Sequence, residues 1–272
     1  MMKLRFLALA SAALLSACAT PDMALPPSLA AADGERITFE HMSGWNNGRF
    51  VAGEYSGEYR RTLDRAHLGI VKLTEGTGDF VVSGPGISST IEGMCDVREG
   101  ALDFDYLEIK PDKMAYRCDL SAEGRPIPAR FELRESRRGL AENLNRYARV
   151  GEIGLAGEVI RFRSVHHFST ASLPTAAPLG YVFEQDGEPV GALQLNGKPI
   201  LTLPAGTDID RRRAIVVASV ALATFWDPDV IEEPAMAASR PTGKTARRHL
   251  LLPVPNGSLS VEADMARPAT RS

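Results

Sequence analysis

Hydrophobic and polar positions alternate with period two along much of the chain, a pattern that predicts strands bounded by turn residues. Short β-rich runs fall at residues 36–39, 67–73 and 79–82. Across residues 102–109, Leu102, Phe104, Tyr106, Leu107 and Ile109 interleave with Asp103, Asp105 and Glu108, as expected of a half-buried strand. Residues 114–120, 129–133 and 159–165 continue the theme. Three more runs, 181–185, 189–195 and 199–203, are separated by Asp186-Gly187 and Asn196-Gly197. Both dipeptides suit two-residue hairpin turns because they tolerate positive φ, so an antiparallel meander is expected.

The pattern then changes. Asp208-Ile209-Asp210 leads into Arg211-Arg212-Arg213, and residues 214–226 carry no charge at all. The alanines and the acidic start predict a helix over residues 208–226. A helix with no polar face must be buried all round. This one is also too short to span a bilayer, which needs roughly 20 apolar residues. Pro228 opposes its continuation. A hydrophobic helix wrapped by antiparallel strands is the economical arrangement.

The N-terminus has a different logic. Lys3 and Arg5 precede an apolar stretch from Phe6 to Leu15, the order of a secretory signal. Leu15-Ser16-Ala17-Cys18 then resembles the bacterial lipobox. That resemblance implies removal of residues 1–17, lipidation of Cys18 and a stable membrane anchor. Ala19 after the cysteine, rather than aspartate, points to the outer membrane, facing the periplasm. Residues 18–34, rich in Ala and Pro, read as a tether, and residues 35–229 as the β-rich domain. Residues 230–272 read as a mostly irregular tail, with one apolar run, Leu250-Leu251-Leu252-Pro253-Val254, able to dock.

Composition narrows the classes. A formal charge of −3 offers no basic footprint for nucleic acid. With Cys18 assigned to lipid, Cys95 and Cys118 remain, and an even pair in an exported chain reads as a disulfide. Their spacing does not suit a zinc site, and no metal or cofactor is expected.

The run from Leu203-Pro204 through Asp208-Ile209-Asp210-Arg211-Arg212-Arg213 to Ala218, with the preceding Asp-Gly hairpin and Val190-Gly191, resembles the C-terminal segment of the tubby-like and phospholipid scramblase group. The likeness covers residues 181–226. It implies a closed antiparallel barrel of about twelve strands around the helix; a pair of β-sandwiches is the alternative fold. Only Asp208 and Asp210 stand where scramblase-type proteins carry an acidic calcium-binding stretch, so the resemblance does not extend to a metal site.

Candidate chemistry is sparse. Asp208 reads as a helix cap and Asp210 as a complement to the dipole. Arg211, Arg212 and Arg213 oppose that dipole, so they either pair with carboxylates or face a phosphate or lipid headgroup. His166 and His167, adjacent on a strand, point to opposite faces and cannot share a metal. Asp103 and Asp105 fill the polar side of an alternating run. Trp45 lies in a Gly- and Asn-rich loop, where an exposed aromatic can contact a ligand. The expected function is a non-enzymatic envelope lipoprotein that binds lipid, a partner protein or wall material. The alternative is an envelope hydrolase built on His166 or His167 with strand carboxylates.

Overall fold

The computed structural model describes residues 20–31, 33–42, 45–68, 71–104, 107–136, 147–171 and 173–228, excluding the side chains at 67, 68, 71, 72, 101–104 and 107–113. Cys18, Asp105, the signal segment and the tail from residue 229 onward lie outside the described residues, as do the side chains of Asp103 and Glu108.

Twelve strands follow one another in chain order: β1 Gly34–Glu40, β2 Asn47–Ala52, β3 Tyr55–Leu68, β4 Val71–Ser83, β5 Ile91–Phe104, β6 Leu107–Ala122, β7 Arg125–Glu135, β8 Arg149–Leu155, β9 Glu158–Val165, β10 Gly180–Gln185, β11 Glu188–Gln194 and β12 Ile200–Pro204. Each pairs antiparallel with its predecessor, and β12 returns to β1 through Gly34↔Pro204 to Thr38↔Ile200, closing a barrel. Closure removes sheet edges. It also excludes the β-sandwich alternative.

Helix α1 spans Pro27–Ala31 and helix α2 spans Ile209–Thr224. Asp208 caps α2 by accepting from the backbone N–H groups of Asp210 and Arg211. Residues Ala214 to Leu222 are all buried, in one cluster with inward side chains such as Phe39, Phe80, Leu133, Phe162 and Leu203. The helix touches β3 and β4 on one side of the strand order and β8, β9 and β12 on the other, so it occupies the barrel interior. Its hydroxyls are satisfied locally: Ser219 donates to the Ile215 carbonyl at 2.7 Å and Thr224 to Val220 at 3.0 Å. Fully burying Ile215, Val216, Val217, Val220 and Leu222 stabilises the fold by roughly 7–15 kcal/mol as an upper bound. That equals the whole net stability of an ordinary domain. The helix is the core.

Several expectations change. The runs at 67–73 and 102–109 are not single strands, because β3 pairs with β4 through Leu68↔Val71 and β5 with β6 through Phe104↔Leu107. Each run straddles a hairpin end. Asp186-Gly187 forms the expected turn, with φ of 53° and 88°. Asn196-Gly197 does not, since positive φ occurs only at Gly197 and the connection covers residues 195–199. Strands β2, β8 and most of β3 carry too many charged residues and glycines to stand out from period alone.

The expected tether, residues 18–34, is largely docked. Met23 and Leu29 are buried against Val165, Leu179, Val182 and Ala192 on the barrel's outer wall. Residues 21–33 run along that wall from one rim to the other. Pro21 accepts from Asn196 at 2.7 Å at one end, and Asp33 accepts from the Ala205 backbone at 3.0 Å at the other. The reason is apolar surface: β10 presents Val182 outward while Tyr181 and Phe183 face the core. An outward apolar patch in a single-layer barrel requires a cover.

Candidate functional site

With the interior filled, the chemistry lies at the two rims. The first rim surrounds the start of α2. Tight turns at Gly53-Glu54, Glu123-Gly124, Ala156-Gly157 and Asp186-Gly187 form it, together with the connection between β4 and β5. The three arginines sit here, and carboxylates meet two of them. Arg212 donates to Glu35 at 2.6 Å, and that hydrogen bond raises the guanidinium pKa further. Arg213 donates to Asp210 at 2.6 Å and to the Gly86 carbonyl at 2.5 Å. Gly86 is fixed by geometry: its φ is 74°, and a Cβ there would lie 2.9 Å from Ile209 Cγ1. The Nε atoms of Arg211 and Arg213 are buried without an acceptor among the described residues. Beside Arg213 lies an apolar cleft of about 210 Å³, lined by Ile87, Ile91, Ile127, Pro128 and Leu155. Asp208 is held below the usual carboxylate range by the two backbone N–H groups it accepts from.

The second rim surrounds the end of α2. Arg61 reaches across it, donating from Nε to the Trp45 carbonyl at 2.8 Å and from Nη1 to Ala223 at 3.4 Å. Its guanidinium stands 4.9 Å from the Trp226 ring centre, and burial pushes its pKa down. Arg65 donates to the Pro228 carbonyl at 2.8 Å. Cations thus meet the electronegative end of the helix. Trp45 and Trp226 pack edge to face at 5.0 Å, with Trp45 69% exposed.

Next to them, Arg149 is fully buried and forms a bidentate pair with Asp227, at 3.1 Å from Nε and 2.9 Å from Nη2. The Arg149 backbone N–H donates to Ser164 Oγ at 2.9 Å, and Ser164 Oγ lies 2.9 Å from His166 Nε2. His166 Nδ1 lies 3.0 Å from the Thr175 carbonyl. A carbonyl only accepts, so Nδ1 carries a proton, and in the neutral ring Nε2 accepts from the Ser164 hydroxyl. The histidine therefore has a fixed tautomer and a hydroxyl partner.

His166 and His167 do not come together as a site: His166 is buried and His167 half-buried beside it on the connection after β9. Ser164, which the sequence reading did not single out, joins His166 instead. Ser164 lies near the end of β9 and His166 just past it, and the Ser-x-His spacing was the available signal. Cys95 and Cys118 face each other across β5 and β6, form a disulfide and are buried in the core. Among the described residues, no three His, Cys, Asp or Glu side chains cluster to hold a metal ion, and no helix is long and apolar enough to cross a membrane. No family model, curated protein or solved structure matches this chain.

Proposed function

We propose that this chain is a cell-envelope lipoprotein, exported by residues 1–17 and anchored through Cys18 to the outer membrane, whose barrel is a binding or structural module. The observation that carries the second half is the filled interior: α2 takes the space where a barrel of this size would hold a ligand. Binding is thereby confined to the rims and outer wall. A buried Cys95–Cys118 disulfide suits an oxidising compartment. The twelve-strand barrel around an apolar helix is what the likeness of residues 181–226 to the tubby-like and scramblase group implies, and it supports placing the chain in that group.

The first rim is the candidate binding surface. Its apolar cleft, with Arg213 in the lining and Arg211 on the same helix turn, suits a ligand joining an apolar group to a phosphate or carboxylate. Arg212 and Arg213 already have carboxylate partners, which leaves Arg211 as the principal contact. Labelling with a radioactive fatty acid tests the anchor: Cys18→Ser should abolish label and leave the precursor uncleaved. Retained label refutes it. For the rim, Arg211→Gln should weaken binding of the soluble domain to anionic liposomes at least threefold, and unchanged binding excludes the headgroup contact.

The Ser164–His166 hydrogen bond favours one second reading, an envelope hydrolase with Ser164 as nucleophile and His166 as base. A fluorophosphonate probe that labels wild type but not Ser164→Ala would establish it. No labelling of either protein removes it.

A further inference from the structure

The docked N-terminal segment fixes which way the barrel would face a membrane. Pro21 is pinned to Asn196, Asp22 accepts from the Ser169 backbone at 2.9 Å, and Met23 bridges to Phe168. All three contacts lie at the second rim, where the β9–β10 and β11–β12 connections emerge. Cys18 precedes Pro21 by three residues, a reach of about 11 Å when fully extended. A bilayer holding acyl chains on Cys18 cannot be much farther than that from this rim.

The rim's surface suits the position. Leu173 is 81% exposed on the β9–β10 connection, Trp45 stands out on the β1–β2 connection, and Tyr147 is 39% exposed just before β8. These are neighbours through the fold. Tyr147 donates its backbone N–H to Ala176 at 3.1 Å, within the connection that carries Leu173. Lys198 on the β11–β12 connection pairs at 2.8 Å with Glu40, which ends the strand preceding Trp45. Trp and Tyr prefer the membrane–water interface because one part of the ring system is apolar and one part is wet. The opposite rim carries tight turns and no exposed tryptophan or tyrosine among the described residues; its exposed apolar side chains include the aliphatic Ile209 and Val159.

The geometry points to a membrane-facing second rim, with Trp45, Tyr147 and Leu173 seated in the headgroup layer and the arginine rim turned away. This rests on the lipid anchor proposed above. The sixteen residues of α2 separate the rims by about 24 Å. The Debye length in physiological salt is about 8 Å, so Arg211, Arg212 and Arg213 do not sense the bilayer that anchors the chain. Their ligand comes from the compartment or from another surface.

The chain has two tryptophans, Trp45 and Trp226, both at the second rim, so intrinsic fluorescence reports on it directly. The protein is purified from membranes, its N-terminal mass measured, and the lipidated form reconstituted into phosphatidylcholine–phosphatidylglycerol vesicles with acyl-brominated lipid. Tryptophan emission should fall at least twofold, while a fluorophore on Asp186→Cys at the far rim keeps its intensity. Lipidated protein with unquenched tryptophans, or with a quenched far-rim label, overturns the orientation and leaves the anchor standing. An N-terminus without acyl mass overturns the anchor, and the orientation with it.

Discussion

Replacing Arg149 by Met should destabilise the protein by about 3–5 kcal/mol, because it removes the bidentate partner of the Asp227 carboxylate, of whose side chain only 11% meets water. Arg149 itself is fully buried, and two hydrogen bonds of 3.1 and 2.9 Å hold the pair in bidentate geometry. Solvent screening does little at that depth. Asp227→Leu should cost a similar amount, since it leaves the guanidinium buried. The double variant Arg149→Met/Asp227→Leu removes both charges and fills the volume with apolar groups. It should recover most of the loss, giving a coupling energy of at least 2 kcal/mol. Urea unfolding followed by tryptophan emission suits the measurement, because Trp226 adjoins Asp227. For a domain of this length each kcal/mol shifts Tm by roughly 2–4 °C, so each single variant should melt about 10 °C lower. Single variants costing under 1 kcal/mol, or a double variant equal to the sum of the two, would refute the claim that this pair locks the exit of α2 to β8.

Removing the disulfide with Cys95→Ala/Cys118→Ala should cost about 3 kcal/mol by the chain-entropy model, read as a lower urea midpoint. Tyr116 and Tyr181, both fully buried, have phenol pKa values pushed far up by burial. The native state keeps those protons while the unfolded chain loses them above about pH 10, so stability is fully present below pH 10 and falls as pH rises beyond it. Absorbance titration near 295 nm should show two tyrosines ionising only as the fold is lost. Leu29→Asp should detach α1 from the outer wall, with loss of about 2 kcal/mol and new protease cleavage between residues 20 and 33, while the barrel spectrum is retained.

The sequence was most legible where one physical demand acted alone. An uncharged segment after Asp208 had to be buried on every side, and it is. Hairpin ends were harder to see, yet their signal was present. Within one strand, side chains on one face share parity, so Leu102 and Phe104 belong together, as do Leu107 and Ile109. The slip from even to odd marks the turn that pairs Phe104 with Leu107. The same slip separates Leu68 from Val71 and Leu73. The docked N-terminal segment left a fainter trace. Met23, Leu25 and Leu29 are spread among prolines and alanines, and only the two-sided apolar character of Tyr181-Val182-Phe183 showed that something must cover β10. The Arg149–Asp227 pair was not legible, because it joins residues brought together only by tertiary folding; the Ser164–Arg149 contact follows from the register of the β8–β9 hairpin, whose first strand did not stand out from period alone.

A filled barrel limits where function can reside, and the outer wall narrows the choice again. Opposite charges face each other across neighbouring strands at Arg49–Glu58, Arg117–Glu132, Arg130–Glu152 and Arg163–Glu184. Such exposed pairs add little stability individually, but they leave the wall polar and close to neutral along these strands. The rims are not equivalent. At the first, four two-residue turns have backbones fixed by hairpin geometry, and the cleft beside Arg213 lies among them. At the second, longer connections carry the exposed aromatics. Loops set on a rigid scaffold are where recognition is usually built. Under the proposed anchor the longer loops share their rim with the lipidated N-terminus, so their aromatics would meet lipid before any soluble partner. What the compartment would then meet is the arginine rim, about 24 Å away by the length of α2. On that orientation, recognition of anything other than the anchoring bilayer would fall to the arginine rim and the cleft beside Arg213.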